Sequence, residues 1–325
     1  MPASEYRPQL ATLVKAAPDG AEWLHEIKYD GYRVGARLRA GRVTLRSRNG
    51  RDWTGAFPEI ARAAAELDAG DALLDGEVAL VLPDGRTSFQ ALQNVSGAAG
   101  GGRGSLAYFV FDLLRLHGTR LDRLPLEERK ARLRALLGRR AKDARIRYAA
   151  HVIGRGGAFF ERACRLGLEG IISKRRDAPY RPGRGNGWLK TKCVRRQELV
   201  IGGFTDPEGA RAGIGALLVG HYDGGRLIFA GKVGTGFTRT SALALRARLD
   251  AIRRREPPFE GGPAGWRRTR AHWVEPRLVA EVAFTEWTAD GKIRHPSFQG
   301  LRADKPATAV RREEPPDGPP AGHMV

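Results

Sequence analysis

The stretch from Trp23 to Arg33 has the sequence WLHEIKYDGYR, in which one lysine stands between an apolar run and an Asp-Gly pair. Residues 23–27 alternate roughly as a half-buried β-strand does, and Asp30-Gly31 is a strong turn signal. Lys28 is therefore predicted to project from a strand end into the cleft that the turn borders. Burial or neighbouring cations can lower the pKa of such a lysine and make it an amine nucleophile. The alternative for this stretch alone is a solvated lysine beside an ordinary hairpin turn.

The composition predicts a protein of two domains in a reducing compartment. The chain has 325 residues, of which 42% are hydrophobic, and this is enough for two separate cores. No apolar run is long enough to span a membrane, and the first residues lack the basic start and apolar run of a secretory signal. Cys164 and Cys193 are too few to form a disulfide framework. The sequence therefore predicts a cytoplasmic protein with no membrane partner.

The charge of the chain is strongly positive. Lys and Arg number 56 against 36 Asp and Glu, which gives a net charge of +20 at pH 7. The basic residues are spread through both halves and do not form one tail, so a polyanion is the expected partner. The glycine-rich run 96–105 lacks the strand-loop-helix setting of a phosphate-binding loop and is predicted to be a flexible linker.

Residues 1–196 show both strand and helix signals. Strands are predicted at 32–39, 43–47, 73–82 and 106–114, and helices near 57–67, 126–137 and 158–168. The strand at 73–82 contains Asp75-Gly76-Glu77, and an acidic side chain in a buried strand is costly unless it binds a cation or accepts hydrogen bonds. A bulge or turn between two strands is the alternative. Phe111 lies in the strand 106–114 and is a core residue by default.

Two later strands carry charged residues that bear on a site. Glu169 stands at the start of an apolar strand that continues to Arg175. Lys190 and Lys192 alternate in the strand 187–193, so both are predicted to point to one face. Two lysines on one strand face more often mark a solvated edge. Lys190 and Lys192 would face an anion only if their side of the strand lines the cleft predicted beside Lys28.

After residue 196 the sequence changes to glycine-punctuated strands. These are predicted at 198–205, 214–222, 226–233, 277–287 and 292–297, with one helix near 241–253. Five strands and one helix suit a small Greek-key barrel such as an OB-fold. We therefore predict an α+β chain, with antiparallel sheets and helices in residues 1–196, an OB-fold β-barrel in 197–312 and a disordered proline-rich tail in 313–325.

Six short motifs occur in an order that resembles the adenylation (nucleotidyltransferase) domain of ATP-dependent DNA ligases. They are Lys28-Tyr-Asp-Gly-Tyr-Arg33, Ser47-Arg48-Asn49-Gly50, Asp75-Gly76-Glu77, Phe111-Asp112-Leu113-Leu114, Glu169-Gly170-Ile171-Ile172-Ser173-Lys174 and Trp188-Leu189-Lys190-Thr191-Lys192. The resemblance continues through 231–237 and 294–298 to Arg302-Ala303-Asp304-Lys305, and it covers nearly all of residues 6–312. Residues 7–13, 49–54 and 286–288 are most similar to the ligase domain of the bacterial multifunctional end-joining (NHEJ) ligases.

The resemblance implies three transfers of AMP and a set of residues that serve them. Lys28 attacks the α-phosphate of ATP, AMP passes to a DNA 5′-phosphate, and the neighbouring 3′-hydroxyl displaces AMP. The residues implied to act in catalysis are Lys28, Asp30, Lys190 and Lys192. Those implied to bind ATP are Glu26, Lys28, Arg33, Arg48, Glu77, Phe111, Lys174, Lys190, Lys192, Arg302 and Lys305. Those implied to hold a divalent metal, Mg²⁺ or Mn²⁺, are Asp30, Glu77 and Glu169.

Several of these residues have a more specific implied role. Glu26 accepts from the adenine amino group, and Phe111 stacks on the adenine ring. Arg33 and Arg48 hold ribose and phosphate oxygens, whereas Lys174 sits beside the α-phosphate near Lys190 and Lys192. In the barrel, Arg302 and Lys305 orient pyrophosphate.

The lysines at the phosphate are also expected to tune the nucleophile. One ammonium about 4 Å from Lys28 lowers its pKa by about three units at an effective dielectric near 20, before phosphate and carboxylates offset it. Residues 195–197, with the sequence Arg-Arg-Gln, are expected to be the hinge on which the barrel swings between ATP and DNA.

The expected partner is nicked or broken duplex DNA, bound by a monomer associated with the bacterial nucleoid. A Ku-like end-binding protein and end-processing polymerase or nuclease modules are further expected partners. Whether the chain is a stand-alone enzyme or an excised domain stays open. An RNA ligase or a GTP-using capping enzyme, which share Lys-x-Asp-Gly, is one alternative. Another alternative is a non-catalytic nucleic-acid-binding module, which only the positive net charge and the predicted barrel favour.

Overall fold

Apolar alternation in the N-terminal half produces two β-sheets in the computed structural model of the chain. The structure describes residues 6–96, 104–138, 144–193, 195–207, 213–260 and 271–313. These divide into an N-terminal unit that ends at Cys193 and a C-terminal unit that ends at Glu313. Most of the predicted linker 96–105 and of the predicted tail 313–325 lies outside the described residues.

The N-terminal unit contains eleven strands and four helices among its described residues. The strands are β1 (Gln9–Leu13), β2 (Trp23–Ile27), β3 (Tyr32–Arg39), β4 (Arg42–Ser47), β5 (Ala72–Val81), β6 (Ser105–Leu116), β7 (Thr119–Arg120), β8 (Ile146–Tyr148), β9 (His151–Ile153), β10 (Gly170–Arg175) and β11 (Gly183–Lys192). The helices are α1 (Pro58–Ala65), α2 (Phe89–Ser96), α3 (Leu126–Leu137) and α4 (Gly156–Arg165).

These strands form two sheets. A five-stranded sheet has the order β1-β11-β10-β2-β9, and a six-stranded sheet has the order β4-β3-β5-β6-β7 with β8 beside β6. Pairing is antiparallel except for β1 with β11 and β6 with β8. The core of this unit includes the fully buried Val34, Leu45, Ile60, Leu74 and Leu133, which come from the six-stranded sheet and from α1 and α3. Burying one such side chain stabilises the fold by about 1.5–3 kcal/mol.

The C-terminal unit is a seven-stranded sheet with one α-helix among its described residues. Its elements are β12 (Arg195–Thr205), β13 (Ala216–Asp223), β14 (Arg226–Val233), α5 (Arg239–Asp250), β15 (Arg253–Arg254), β16 (Ala271–Val274), β17 (Val279–Phe284), β18 (Ser297–Leu301) and a 3-10 helix, Ala307–Ala309. The long β12 pairs with β13 along one edge and with both β17 and β16 along the other.

The structure corrects one sequence prediction in this unit and leaves another open. The predicted hinge 195–197 forms the first residues of β12, which pair with Val282 to Phe284 of β17, and its role as a hinge stays a prediction. The predicted strand 292–297 is not continuous. The Lys292 N–H donates to Thr288 Oγ1 at the end of a turn, Ile293 makes an isolated antiparallel bridge to Trp287, and β18 begins only at Ser297. In contrast, β3, β14 and α3 have the predicted bounds to the residue.

The two cysteines form a disulfide, which the sequence did not predict. Cys164 in the last turn of α4 and Cys193 after β11 have Cα atoms 5.2 Å apart, a distance typical of a disulfide. The sequence could not indicate this single bond, because the pairing depends on where α4 and β11 end in space. In a reducing cytoplasm such a bond would be transient.

Reduction of this disulfide is expected to destabilise the oxidised protein. The two cysteines are 29 residues apart in sequence, and loop closure over that separation contributes about 3.5 kcal/mol. For a unit of this size the midpoint of thermal unfolding should fall by roughly 7–14 °C when dithiothreitol is added. The double variant Cys164→Ser, Cys193→Ser is the control and should not respond to dithiothreitol. Two titratable thiols in the oxidised protein would contradict the pairing.

None of the helices in the described part of the chain is both long enough and apolar enough to cross a membrane.

Candidate active site

Three neighbouring strands place the charged motif residues on one face of the five-stranded sheet. Ile172 of β10 is paired with Glu26 of β2 on one side and with Lys190 of β11 on the other. Directly paired residues point to the same face, and residues two apart in a strand share that face. Lys28 follows Glu26 by two residues, and Lys192 follows Lys190 by two. The alternation predicted for the two lysines therefore puts them on the same side as the candidate nucleophile.

Two motif glycines allow the backbones in this region to approach closely. A Cβ on Gly31 would lie 2.2 Å from the carbonyl oxygen of Val78 in β5, and a Cβ on Gly170 would lie 2.1 Å from that of Thr191 in β11. Neither site can hold a larger residue without moving a strand. The glycines of Asp30-Gly31 and Glu169-Gly170 are thus required by packing, and Gly170 also has a positive φ of 152°.

Lys28 forms an ion pair with Glu169. Their Nζ and Oε1 atoms are 2.5 Å apart, and the two side chains are 23% and 5% exposed. Burial by itself lowers the pKa of Lys28, but Glu169, and then Glu77 and Asp30, raise that pKa by more, so it lies above its ordinary value. The expectation that neighbouring lysines lower this pKa is therefore wrong. Carboxylates, not ammonium groups, dominate around Lys28, which must lose a proton before it can attack.

Replacing Glu169 with glutamine is expected to lower the pKa of Lys28, because an amide does not stabilise the neighbouring ammonium as a carboxylate does. The measurement is the pH at which Lys28 becomes reactive toward an amine-directed label, read by peptide mass spectrometry without ATP. Lys15, which is exposed, reports in the same digest on the reagent itself. An unchanged pH profile for Lys28 would show that Glu169 does not control its protonation.

The three predicted metal ligands do not form a ready metal site. Asp30 accepts the N–H of Phe89 at the start of α2, and its own N–H donates to Thr87 Oγ1. Glu169 is engaged by Lys28, and Glu77 is half-buried on β5. Among the described residues no group of three or more His, Cys, Asp or Glu side chains could hold a metal ion. The structure instead surrounds the Lys28 ammonium with the charges of all three carboxylates.

Glu26 is buried between two lysines. Lys130 of α3 contacts its Oε1 atom, and Lys174 of β10 donates to its Oε2 atom at 2.6 Å. Burial raises the pKa of Glu26, but the two ammonium groups lower it by more, so the carboxyl group stays ionised. A buried ionised carboxylate can only accept hydrogen bonds, which agrees with its implied role toward an amino group.

Lys174 lies beside Glu26 and two aromatic rings, and its implied place beside the α-phosphate stays a prediction. Its Nζ atom is bound to Glu26 and lies 4.1 Å from the centre of the Phe111 ring and 4.0 Å from that of Trp188. Burial, with a contribution from Lys130 and against the attraction of Glu26, lowers the pKa of Lys174 to about 8. Phe111 is 8% exposed and packs edge-on against Trp188. Stacking of adenine on Phe111 stays a prediction and requires Lys174 to leave that ring.

Arg33 forms an ion pair with a buried carboxylate. Its Nε and Nη2 atoms donate to the two oxygens of Asp75 at 2.9 and 2.6 Å. The hydroxyls of Tyr6 and Tyr180 donate to the same carboxylate at 2.6 and 2.7 Å. Most of the guanidinium donors implied to bind ribose are therefore used within the protein. Arg48, by contrast, lies half-buried in the turn after β4.

Arg302 and Lys305 are held by carboxylates of the C-terminal unit. Arg302 donates from Nε and Nη2 to Asp304 at 2.8 and 2.7 Å, and Lys305 donates to Glu198 at 3.0 Å. Their side chains are only 13% and 10% exposed. A role toward pyrophosphate stays a prediction, and it would require these pairs to open.

Lys130 was not among the site residues predicted from the sequence, although a signal for it was present. Leu126, Leu133 and Leu137 mark the buried face of α3, and Lys130 lies on that face, four residues after Leu126. A lysine on a buried helix face needs an acidic partner. The sequence could therefore have indicated Lys130 as a functional candidate, but it could not have identified Glu26 as its partner.

Comparison with known proteins adds a family to this geometry. Residues 3–192 match the family model described as "ATP dependent DNA ligase domain", and residues 210–305 match "ATP dependent DNA ligase C terminal region". The chain is 44% identical over 317 residues to the multifunctional non-homologous end joining protein LigD of Pseudomonas aeruginosa, covering 96% of this chain and 37% of that protein. It is 37% identical over 310 residues to the LigD of Mycobacterium tuberculosis, covering 94% of this chain and 40% of that protein.

Two solved structures resemble the fold. A mycobacterial DNA ligase D complexed with ATP and MES has a TM-score of 0.69 at 35% identity, covering 94% of this chain and 98% of the other. The ligase domain of M. tuberculosis LigD has a TM-score of 0.52 at 36% identity, with the same coverage. These matches confirm the predicted α+β fold of a nucleotidyltransferase domain followed by an OB-fold domain. The chain spans about two fifths of the length of the curated relatives it matches.

Proposed function

The chain belongs to the ATP-dependent DNA ligase family, and from this membership we propose that it seals 5′-phosphate/3′-hydroxyl breaks in duplex DNA through an AMP adduct on Lys28. The observation that carries the proposal is the shared strand face of Lys28, Glu26, Lys190 and Lys192, with Glu169 against the nucleophile. A protein that only binds nucleic acid would not need one lysine, Lys28, to be paired with a buried carboxylate next to two further lysines.

Three substitutions at phosphorus make up the proposed reaction. The neutral Nζ of Lys28 forms a bond to the α-phosphate of ATP, and pyrophosphate leaves. The DNA 5′-phosphate then displaces Lys28 from AMP, and finally the 3′-hydroxyl attacks the activated 5′-phosphate and AMP leaves. Such in-line transfers depend mainly on positioning and charge neutralisation. Lys190 and Lys192 are the cations of this face that would supply the neutralisation.

Divalent metal dependence is a separate part of the proposal. The described carboxylates form no preformed metal cluster. Mg²⁺ commonly uses one or two carboxylates together with nucleotide phosphates, so Asp30, Glu77 and Glu169 are the candidates once ATP is bound. Titration of EDTA against adduct formation, with Mg²⁺ or Mn²⁺ added back, tests this requirement.

The decisive experiment uses ATP labelled at the α-phosphate. We expect a covalent protein–AMP adduct with ATP alone, loss of that label when a nicked DNA duplex is added, and appearance of sealed product. A nicked duplex RNA of the same sequence serves as the comparison substrate. A chain that forms no adduct, or that transfers AMP to RNA and not to DNA, would not be the proposed enzyme.

We further propose that the chain acts in bacterial double-strand-break end joining, in the cytoplasm and on nucleoid DNA. The similarity to LigD proteins supports this pathway. Bringing two separate DNA ends together costs translational freedom that a nick does not cost. A Ku-like end-binding protein, with polymerase and nuclease modules for end processing, would reduce that cost.

A Ku-like partner is therefore expected to raise the joining of two duplex ends about tenfold or more, whereas sealing of a nick should change little, because only the first reaction requires two ends to be held together. Both activities are measured with equal enzyme, with and without the partner. Equal stimulation of both, or of neither, would favour a general nick-sealing enzyme.

A further inference from the structure

The Cys164–Cys193 disulfide joins two elements that border the candidate active site. Cys164 lies in the last turn of α4, and Cys193 follows β11, the strand that carries Lys190 and Lys192. Both cysteines are partly exposed, so a small thiol reagent can reach them. Disulfides in cytoplasmic proteins are usually transient and either catalytic or redox-sensing. The position of this pair therefore suits a reversible modification that acts on the site.

Two backbone hydrogen bonds connect this disulfide to the candidate nucleophile. The N–H of Cys193 donates to the carbonyl oxygen of Glu169 at 2.9 Å. The N–H of Lys28 donates to the carbonyl oxygen of Gly170, also at 2.9 Å. Gly170 is paired in turn with Lys192, the residue before Cys193. Glu169, whose carboxylate binds the Lys28 ammonium, is thus one backbone hydrogen bond away from the disulfide.

The segment that leads to Glu169 is attached to the end of α4. The N–H of Gly167 donates to the carbonyl oxygen of Cys164 at 3.0 Å. The N–H of Leu168 donates to that of Ala163, also at 3.0 Å. Within α4 only Gly156 and Ala163 are buried, and segments with few buried contacts open locally at low free energy. The disulfide therefore supplies a covalent restraint where the non-covalent restraints are few.

The proposed reaction requires the Glu169 carboxylate to release Lys28. Its Oε1 atom lies 2.5 Å from Lys28 Nζ, so the amine must leave this ion pair before it can reach a phosphate. The Glu169 backbone is limited by β10 on one side and by residues 166–168 on the other. With the disulfide closed, residues 166–168 are held both through α4 and through Cys193. With the disulfide open, those residues can shift and carry the carboxylate away from Lys28.

We propose that Cys164 and Cys193 form a redox-modification site that controls the candidate active site, and that the oxidised chain forms the Lys28 adduct more slowly than the reduced chain. The inference rests on the proposed function for its reaction, whereas the coupling of the disulfide to Lys28 does not depend on that function.

The oxidant of this modification is a low-molecular-weight disulfide. One cysteine thiolate attacks it and releases one small thiol, and the second thiolate then attacks the mixed disulfide and releases the other. The two protein thiols lose two protons and two electrons, and the small disulfide takes up both to become two thiols. A small thiol in excess, or dithiothreitol, reverses the exchange.

Formation of the bond is tested in buffers that contain reduced and oxidised glutathione at fixed ratios. We expect the chain to pass from two free thiols to none as the oxidised fraction rises, and dithiothreitol to restore both. Thiol labelling counts the free groups, and peptide mass spectrometry locates the bond. The chain contains two cysteines in all, so loss of both labels in a protein that stays monomeric assigns the bond to this pair.

Adduct formation with α-labelled ATP is then compared in the two redox states. At saturating ATP the oxidised chain should form the adduct about fivefold or more slowly, the lower end of typical coupling between two sites. The KM for ATP should change little, because the restraint acts on the release of Lys28. The assays are run well below the thermal midpoint of the reduced protein, so that a difference in global stability does not contribute. Dithiothreitol should restore the faster rate.

The double variant Cys164→Ser, Cys193→Ser is the control for the oxidant itself. It cannot form the bond and should react at the rate of the reduced chain in every glutathione buffer. A slower rate of this variant in the oxidised buffer would overturn the assignment of the effect to these two cysteines.

Hydrogen exchange measures the same coupling without ATP or DNA. On reduction the amides of Gly167 and Leu168 should exchange faster, and so should that of Lys28, whose acceptor is the carbonyl oxygen of Gly170. The response of Lys28 should exceed that of the core amides of β3, which report on global unfolding. A bond that only stabilises the end of α4 would change the exchange of Gly167 and leave the excess at Lys28 and the adduct rate unchanged.

The outcomes separate this inference from the proposed function. Three results each overturn the inference and leave the ligase assignment intact: an oxidised chain as fast as the reduced chain or faster, thiols that stay free at every glutathione ratio, or a Lys28 amide that responds no more than those of β3. Failure to form an adduct in either redox state overturns the proposed function, and hydrogen exchange then still decides whether the disulfide acts on Lys28.

Discussion

Replacing Lys28 with alanine or arginine is expected to lower adduct formation with ATP roughly a thousandfold or more, because each change removes the attacking amine. Arginine is the more informative replacement, because it keeps a cation opposite Glu169 but cannot be deprotonated to a nucleophile. Lys15→Ala, at an exposed lysine, is the control and should retain full labelling. The measurement is transfer of label from α-labelled ATP to protein.

Sealing of a nick that already carries AMP on its 5′-phosphate should survive in part in Lys28→Arg. That step needs the 3′-hydroxyl as nucleophile and not the lysine. Undiminished label on Lys28→Arg would refute Lys28 as the site of the adduct. A parallel loss of both activities together with a lowered thermal midpoint would point to misfolding, which is why both assays are run on the same preparation.

Replacing Asp112 with leucine is expected to destabilise the N-terminal unit by about 3–5 kcal/mol, because it leaves a buried guanidinium without its carboxylate. Arg129 donates to both oxygens of Asp112 at 2.7 and 2.8 Å, and both side chains are fully buried. For a unit of this size the loss corresponds to a fall in the thermal midpoint of roughly 6–20 °C. Circular dichroism melting curves measure it.

Two comparisons make this prediction specific. The double variant Arg129→Met, Asp112→Leu should recover part of the loss, because an apolar pair can replace a buried ion pair at little cost. Recovery should be partial, since Arg129 also donates to the carbonyl oxygens of Leu124 and Ala178. Glu161→Gln breaks the exposed pair with Arg165 and should change stability by less than about 1 kcal/mol. An Asp112→Leu protein as stable as the original would show that this pair contributes little.

The same ion pair links stability to the site. Arg129 and Lys130 are neighbours on α3, and the pairing of Arg129 with Asp112 of β6 fixes the helix against the strand that carries Phe111. Loosening α3 should therefore also weaken the contact of Lys130 with Glu26. We expect the residual folded Asp112→Leu protein to form the adduct with a raised KM for ATP.

The sequence by itself determined the local elements and the order of the motifs. Lys28 could be placed at a strand end before a turn, and Lys190 and Lys192 on one strand face, because strand period and turn chemistry depend on neighbouring residues. The bounds of β3, α3 and β14 follow from the same local patterns. Six ordered motifs were sufficient to indicate the family.

Only the tertiary structure decided which charges meet. Glu26 binds Lys130 and Lys174, which are 104 and 148 residues away in the chain, and no local pattern links such positions. Sheet register and the packing of α3 bring them together. The same register places Glu169 against Lys28 and so reverses the expected direction of the pKa shift of the nucleophile. A pKa depends on burial and on charges within a few ångströms, and those distances exist only once the strands have paired.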